Sequence, residues 1–144
     1  MITALKYSYP HRRLTVGAVS EQEIFGLVGE DGFQRLCASF YRQVADDDLL
    51  GPMYPQEDLE GAEQRLRDFL IYRFGGPPTY IEERGHPRLR MRHARFPIDR
   101  AARDRWMKLM RQALNDAELD PQATELLSQF FDQMATFLIN RADP

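Results

Sequence analysis

Apolar residues recur every three or four positions through most of the chain after Ser20, and this period limits the fold to helices. Such spacing gathers apolar side chains on one face of an α-helix. Glycine and proline interrupt the pattern around residues 51–55, and again at 75–78, where Gly-Gly-Pro-Pro ends a helical stretch. No segment among these alternates with the period of two that a half-buried strand requires. The sequence therefore predicts an all-α fold.

Capping signals mark the starts of the predicted helices. Ser20 and Glu23 fit a capping box for a short helix through Val28. Asp120 precedes Pro121, and proline suits the first turn of a helix. Five helices are predicted, and they begin at or just after the following residues: Ser20, Asp31, Leu59, Asp99 and Asp120.

Composition and charge exclude several classes of protein. The 144 residues, 43% of them hydrophobic, suit one domain. A formal charge of −3 gives no reason to expect nucleic acid or an anionic membrane as a partner. No apolar run approaches the ~18 residues of a membrane span. The single cysteine, Cys37, lies on an apolar helix face, so we interpret it as a buried side chain in a cytoplasmic protein.

The first nineteen residues differ from the rest of the chain. Residues 1–19 contain four basic or potentially basic groups and no acid. The sequence Tyr7-Ser8-Tyr9-Pro10 favours extended or turn structure over helix. We interpret residues 1–19 as an N-terminal extension that packs on the surface or stays mobile, ahead of a helical domain at residues 20–144. A partner-binding arm is the alternative.

Residues 75–98 form a connection that is unusually long for a helical domain. The segment has three prolines before Pro97 and little apolar periodicity, yet its apolar side chains favour packing over disorder. Five arginines lie within twelve of its residues, between Arg84 and Arg95. His86 and His93 lie among these arginines. Such long connections are usually functional or disordered, so this one is a candidate functional segment.

His93 carries the chemistry that the sequence offers. It lies one turn after Leu89, on the same face of any short helix that Pro87 begins. A lone histidine on an apolar face is more often structural, and the sequence has no HExxH or paired CxxC motif for a conventional metal site. Haem brings four ligands of its own. It needs one protein ligand, an apolar slot and cations for its propionates, and residues around His93 could supply all three.

Four motifs then occur in a recognisable order. They are FYRQVADDDLLGPMYPQEDLEGAEQRLRDFL, FGGPPTY, ERGHPRLRMRHARFPI and RDRWMKLM. Together they resemble the group II truncated haemoglobins over roughly residues 21–141. The resemblance implies a shortened globin fold, with two helix pairs stacked around one haem b.

The resemblance also implies roles for individual residues. His93, in RMRHA, matches the proximal iron ligand, and Ala62 matches the distal position that carries histidine in vertebrate globins, so no distal histidine is expected. Arg65 and Arg92 match positions near the haem propionates, and the other arginines of the segment are expected in solvent or on carboxylates elsewhere. The expected distal residues are Tyr41, Tyr54, Trp106, Ala62 and Leu66. The expected haem-binding residues are Arg65, Phe69, Tyr80, Leu89, Met91, Arg92, Phe96 and Ile98.

These residues imply a haem protein that binds O2, CO or NO at an open iron position, under polar distal donors. Two hydrogen bonds of roughly 1.5–3 kcal/mol each to a charged ligand would slow its release. Tight binding suits storage, sensing or redox chemistry on O2, NO or peroxide better than rapid delivery. An NO dioxygenase or peroxidase-like enzyme, served by an unidentified reductase, is the main alternative. The resemblance leaves a homodimer open as the assembly. A cofactor-free helical interaction module is a further alternative function.

Overall fold

The computed structural model describes residues 14–17 and 19–144. The described part of the chain is mostly helical, with six α-helices, which confirms the predicted all-α fold. In chain order they are α1 (Ile24–Asp46), α2 (Leu59–Arg73), α3 (Thr79–Arg84), α4 (Leu89–His93), α5 (Arg100–Ala117) and α6 (Pro121–Phe137). None of the helices in this part of the chain is long and apolar enough to cross a membrane.

The two predicted helices on either side of residue 30 join into α1 across a kink. Gly29 takes non-helical angles, φ 72° and ψ 170°, which a residue without a Cβ adopts at little cost. The capping interaction predicted for Ser20 is present, because the Ser20 main-chain N–H donates to Glu23 Oε1 at 2.9 Å. It opens a short 3-10 turn, Glu21–Glu23, which leads into α1.

The long helices enclose one aromatic core. α1 packs against both α2 and α5, and α5 packs against α6. Phe33, Phe40 and Phe74 are fully buried, and the Phe74 ring lies 4.9 Å from that of Phe130 in an edge-on contact. Cys37 is also fully buried, as predicted, and burial raises the pKa of its thiol. The core therefore fixes the helices that carry the site.

The described end of the N-terminal extension forms a hairpin that the sequence did not predict. Strand β1 (Thr15–Val16) pairs antiparallel with β2 (Val19–Ser20), and β1 packs on α6. Strands of two residues are too short to leave a readable pattern. Leu14 is buried, and its N–H donates to Glu21 Oε2 at 2.8 Å. The expectation for residues 1–13 lies outside the described residues.

A buried ion pair ties this N-terminal part to α2. Glu21 Oε1 lies 3.1 Å from Arg73 Nη1, and each side chain is only 8% exposed. The Arg73 guanidinium also lies over the rings of Phe74 and Phe130. A buried charge pair is tolerated when further contacts compensate for lost water. The pair fixes the start of α1 against the end of α2.

Residues 75–98 are not the plain connection that the sequence predicted. They contain the short helices α3 and α4, each about one turn long. Helices this short carry too little periodicity to detect. α4 begins at Leu89 after Arg88, which adopts a left-handed conformation, φ 44°. Leu89 and His93 do share one short helix, as predicted.

Candidate functional site

One large apolar cavity lies between the helices. Its volume is about 160 Å³, whereas one water needs only roughly 10–15 Å³ of comparable space. The cavity therefore admits a molecule much larger than water. Eight of the fourteen residues expected at the site line it: Tyr54, Leu66, Phe69, Leu89, His93, Phe96, Ile98 and Trp106.

The other expected residues lie outside the cavity lining. Ala62 and Tyr80 are buried, and the Tyr80 ring packs edge-on against Phe69 at 5.4 Å between centroids. Tyr41 contacts the lining residue Tyr54, with 5.5 Å between ring centroids. Met91 is 61% exposed. Arg65 and Arg92 are engaged elsewhere, as described below.

Ten lining residues were not singled out from the sequence. Several of them belong to the apolar face of α6, whose period could have suggested them, but periodicity does not distinguish a cavity wall from solid core. The alanines and Arg103 left no signal of this kind. These residues are Leu50, Met53, Leu70, Ala102, Arg103, Phe130, Phe131, Met134, Ala135 and Leu138.

The His93 imidazole is held in one tautomer. Its Nδ1 lies 2.7 Å from the Leu89 carbonyl oxygen, one turn earlier in α4. A carbonyl only accepts, so Nδ1 must carry the proton and Nε2 keeps its lone pair. Burial lowers the pKa of His93, the Leu89 carbonyl opposes this, and the Arg92 charge lowers the pKa further. The imidazole is therefore neutral at neutral pH, and its Nε2 lone pair is available to bind a metal.

Two polar side chains hold the loop around His93. Asn140, just after α6, accepts from Ile98 N at 2.9 Å and donates to the carbonyls of Phe96 at 3.0 Å and His93 at 3.3 Å. Arg92 donates to the carbonyls of Pro87 at 2.7 Å and Arg84 at 2.8 Å. The Arg92 guanidinium is thus bound to main chain.

A hydroxyl and indole cluster lies at another part of the cavity. Burial raises the pKa of the Tyr54 hydroxyl, and its contacts with Trp106 and Tyr41 partly offset that rise. Burial, first of all, and the neighbouring Tyr54 and Cys37 raise the pKa of Tyr41. The Phe40 ring supports both neighbours, at 5.0 Å from Tyr41 and 5.0 Å from Trp106. All three polar side chains are therefore neutral and mutually oriented.

Positive charge gathers near the first turn of α2. Arg65 Nη2 lies 2.6 Å from Asp58 Oδ2, and both side chains are partly exposed. The Arg65 hydrogen bond, and then the charges of Arg65, Arg95 and Arg84, lower the pKa of Asp58. Gly61 makes this pairing possible, because a Cβ there would come within 2.5 Å of Asp58 Oδ1. Arg65 is thus a partly exposed cation paired with a partly exposed carboxylate.

A haem group fits these residues. The cavity wall is largely apolar, His93 presents a neutral nitrogen with a fixed tautomer, and Arg65 supplies a cation at the protein surface. In the described residues, no group of three or more His, Cys, Asp and Glu side chains could hold a metal ion directly. A single histidine suffices for a metal that brings its own equatorial ligands.

Comparison with known proteins agrees with this geometry. The bacterial-like globin family matches residues 23–140. The group 2 truncated haemoglobin YjbI of Bacillus subtilis is 35% identical over 116 residues, which cover 81% of this chain and 87% of that protein. A family match over this length, with a relative this similar, establishes membership.

Solved structures agree as well. The thermostable haemoglobin of Thermobifida fusca is 47% identical, with a TM-score of 0.78 over 81% of this chain and 96% of that one. The group II truncated haemoglobin of Bacillus anthracis is 30% identical, with a TM-score of 0.80 over 84% and 93%. The family is one of haem globins that bind O2 or related ligands. The chain belongs to the bacterial-like globin family, as a group II truncated haemoglobin.

Proposed function

We propose that this protein binds haem b in the cavity, with His93 as the iron ligand, and retains a diatomic ligand beneath Tyr54. One observation supports this most directly: His93, with its Nδ1 proton tied to Leu89, lines the same cavity as Tyr54 and Trp106. Haem supplies an iron atom with an open sixth position at which O2, CO or NO binds. The chain's own residues determine how long the ligand stays.

On the proximal side, the Leu89 carbonyl orients the imidazole so that Nε2 is the ligating atom. A hydrogen bond to the other ring nitrogen also raises the basicity of a ligating histidine. Asn140 donates to the main-chain carbonyl of His93 at 3.3 Å, which ties the end of α4 to the residues after α6. Leu89, Phe96 and Ile98 add an apolar wall that keeps water away from the haem face.

On the distal side, Tyr54 is the direct hydrogen-bond donor in this proposal. Tyr41 and Trp106 each have one polar proton, and in this proposal each directs it at the Tyr54 oxygen, in keeping with the lowering effect of both contacts on the pKa of Tyr54. The Tyr54 hydroxyl proton is then the one left to point toward a ligand. A donor whose oxygen accepts two hydrogen bonds is also strengthened as a donor. Tyr41 and Trp106 therefore act through Tyr54.

One such bond to a ligand that carries partial negative charge contributes about 1.5–3 kcal/mol, and ~1.4 kcal/mol is a factor of ten. Ligand release would slow by roughly tenfold or more. Retention suits storage, sensing or redox chemistry better than rapid delivery. The same cluster of protic groups favours a second candidate, an NO dioxygenase or peroxidase-like reaction. An enzyme turns over NO or peroxide repeatedly when a reductant is present, whereas a carrier is oxidised once and stops.

The absorption spectrum of the haem-reconstituted chain tests the proposal. We expect a strong Soret band that shifts on CO binding in the wild type. In His93→Ala the band should weaken or shift, and added imidazole should restore it. His86→Ala is the matched control, because His86 lies in the same loop but does not line the cavity; its spectrum should equal the wild type's. A wild-type chain without a Soret band, or with one indifferent to His93, would contradict the proposal.

A further inference from the structure

The side of α4 that faces away from the cavity is basic and has an apolar centre. Leu89 is buried and His93 half-buried, whereas five neighbours are exposed. We call these five residues the α4 outer face: Arg88, Arg90, Met91, Ala94 and Arg95. Met91 is one of two large hydrophobic side chains in the described residues that are exposed, at 61%.

The arginines of this face have no carboxylate partner. Within the described residues, ion pairs use six other arginines, from Arg65 to Arg111. Residues 84–98 contain no Asp or Glu, and residues 1–19 contain none either, so the undescribed residues offer no carboxylate. Arg95 acts on Asp58 only through its charge. A chain with a net charge of −3 thus keeps three unpaired cations together.

Two of these cations stack on aromatic rings. The Arg90 guanidinium lies 5.2 Å from the centroid of the Phe137 ring. The Arg95 guanidinium lies 4.9 Å from the centroid of the Phe96 ring. Stacking of this kind restricts a long side chain but leaves its N–H groups free to bind carboxylates. Side chains that are ordered before binding lose less entropy when a partner arrives. Arginine and methionine are also enriched in protein interfaces, where lysine is depleted.

We propose that the α4 outer face docks an acidic protein that donates electrons to the haem. The assignment of an electron donor rests on the proposed haem function, since α4 also carries His93. A partner on this face would lie about one helix diameter, roughly 10–12 Å, from the ligating residue. In each encounter the donor's iron–sulfur or flavin centre loses one electron and is oxidised, and the iron is reduced from ferric to ferrous.

Other occupants fit less well. A second copy of the chain in a two-fold dimer would bring the same positive face against itself. The exposed Met91 at the centre of the face suits a protein interface, where methionine is enriched, better than a phosphate backbone or a lipid headgroup. Charge complementarity with an acidic protein accelerates and orients docking.

The test compares two triple variants that each remove three positive charges. The patch variant is Arg88→Gln, Arg90→Gln and Arg95→Gln. The matched control is Arg42→Gln, Lys108→Gln and Arg111→Gln, at exposed positions on α1 and α5. A third chain, with Arg88→Lys, Arg90→Lys and Arg95→Lys, keeps the charge. Circular dichroism and the Soret band establish that each chain is folded and loaded.

A plant-type ferredoxin serves as the acidic probe, and its affinity is measured by calorimetry on apo and haem-loaded chains at about 0.01 and 0.15 M ionic strength. We expect binding at low salt that weakens as the Debye length falls from roughly 30 to 8 Å. The patch variant should lose about tenfold or more in affinity and in the rate of reduction by reduced ferredoxin. The control should stay within about twofold, and the lysine variant should recover most of the binding. Dithionite, which needs no docking, should reduce all four chains equally.

Three results would overturn the proposal: no binding of ferredoxin to the wild type, equal losses in patch and control variants, or sedimentation that shows the face to be a dimer contact. A wild type without a Soret band would instead sink the haem function. Binding to the apo chain is read independently of that band, so the two failures are distinguishable.

Discussion

The two loops that carry the site residues are held in place by different kinds of side chain. The Tyr54 loop, residues 47–54, is held by a carboxylate: Asp47 accepts from Leu50 N at 2.8 Å and from Leu49 N at 3.0 Å, and it pairs with Arg105 at 2.7 Å. The His93 loop, residues 85–98, is held by the amide of Asn140 and the guanidinium of Arg92.

The loops also differ in what lies behind them. The Tyr54 loop rests on aromatic packing around the fully buried Phe40 ring, which contacts both Tyr41 and Trp106. The His93 loop has one short helix, exposed arginines and few buried side chains of its own. Packing should therefore stabilise the first loop together with the whole fold. Hydrogen bonds to main chain should stabilise the second loop locally.

The largest effect should come from removing the packing behind the Tyr54 loop. We expect Phe40→Ala to lower the free energy of unfolding by about 3–5 kcal/mol, because it opens a cavity in the core. Urea unfolding of the apo protein measures it. Leu27→Ala, at a side chain 44% exposed, should change stability by no more than about 0.5 kcal/mol. Equal costs for the two variants would contradict the packing account.

The next effect should be confined to the His93 loop. Asn140→Ala removes three side-chain hydrogen bonds, worth about 2–3 kcal/mol together. Hydrogen exchange at the Ile98 amide should accelerate by roughly 30–100-fold, while amides of α1 exchange as before. Asn115→Ala, at an exposed position of α5, is the control. Acceleration throughout the molecule would mean that the loop is not a local unit.

A smaller effect should affect ligand retention rather than stability. Tyr54→Phe removes the hydroxyl on which Tyr41 and Trp106 converge. We expect ligand dissociation from the haem-loaded protein to accelerate by about tenfold or more. Flash photolysis and stopped-flow mixing measure the rate. The control, Tyr72→Phe, changes a tyrosine outside the cavity and should leave the dissociation rate unchanged. An unchanged rate in Tyr54→Phe would assign the ligand contact to another residue.

The smallest effect should be a difference between the two loops in how their local stability changes at acidic pH. Burial would raise the pKa of Asp47, but hydrogen bonds from Leu50, Arg105 and Leu49 outweigh it and lower the pKa below its ordinary value of 3.8. A lowered folded pKa means that the carboxylate stabilises the fold fully above the unfolded pKa. That stabilisation is lost as pH falls through the folded pKa. The amide of Asn140 has no such titration.

Exchange of the Leu50 and Ile98 amides between about pH 5 and 2 tests this difference. Below about pH 4, the Leu50 amide should lose more of its protection from hydrogen exchange than the Ile98 amide does. Asp47→Asn should abolish the extra loss, because the amide does not titrate. Asp48→Asn is the control, since Asp48 shares Arg105 but is 92% exposed. If the two amides lost protection identically as the pH falls, the Asp47 carboxylate would not stabilise the Tyr54 loop locally.

Much of the fold could be predicted because its signals are local. The long helices followed from apolar period and caps, and the side-chain bonds of Asp99 and Asp120 to main-chain N–H groups are present as expected. α3 and the hairpin were missed because elements of two to six residues leave no period to read. Eight of the fourteen expected site residues line the cavity, and they were expected there because their motifs resemble those of the group II truncated haemoglobins.

The sequence by itself determined the helical class and the relation of His93 to Leu89, because spacing along one chain fixes which side chains share a helix face. Only the tertiary structure decided what those side chains meet. Asn140 reaches His93 across 47 residues, and Arg73 reaches Glu21 across 52. Arg92 binds the main chain of its own loop. Such contacts depend on how separate helices pack, and no local pattern encodes that geometry.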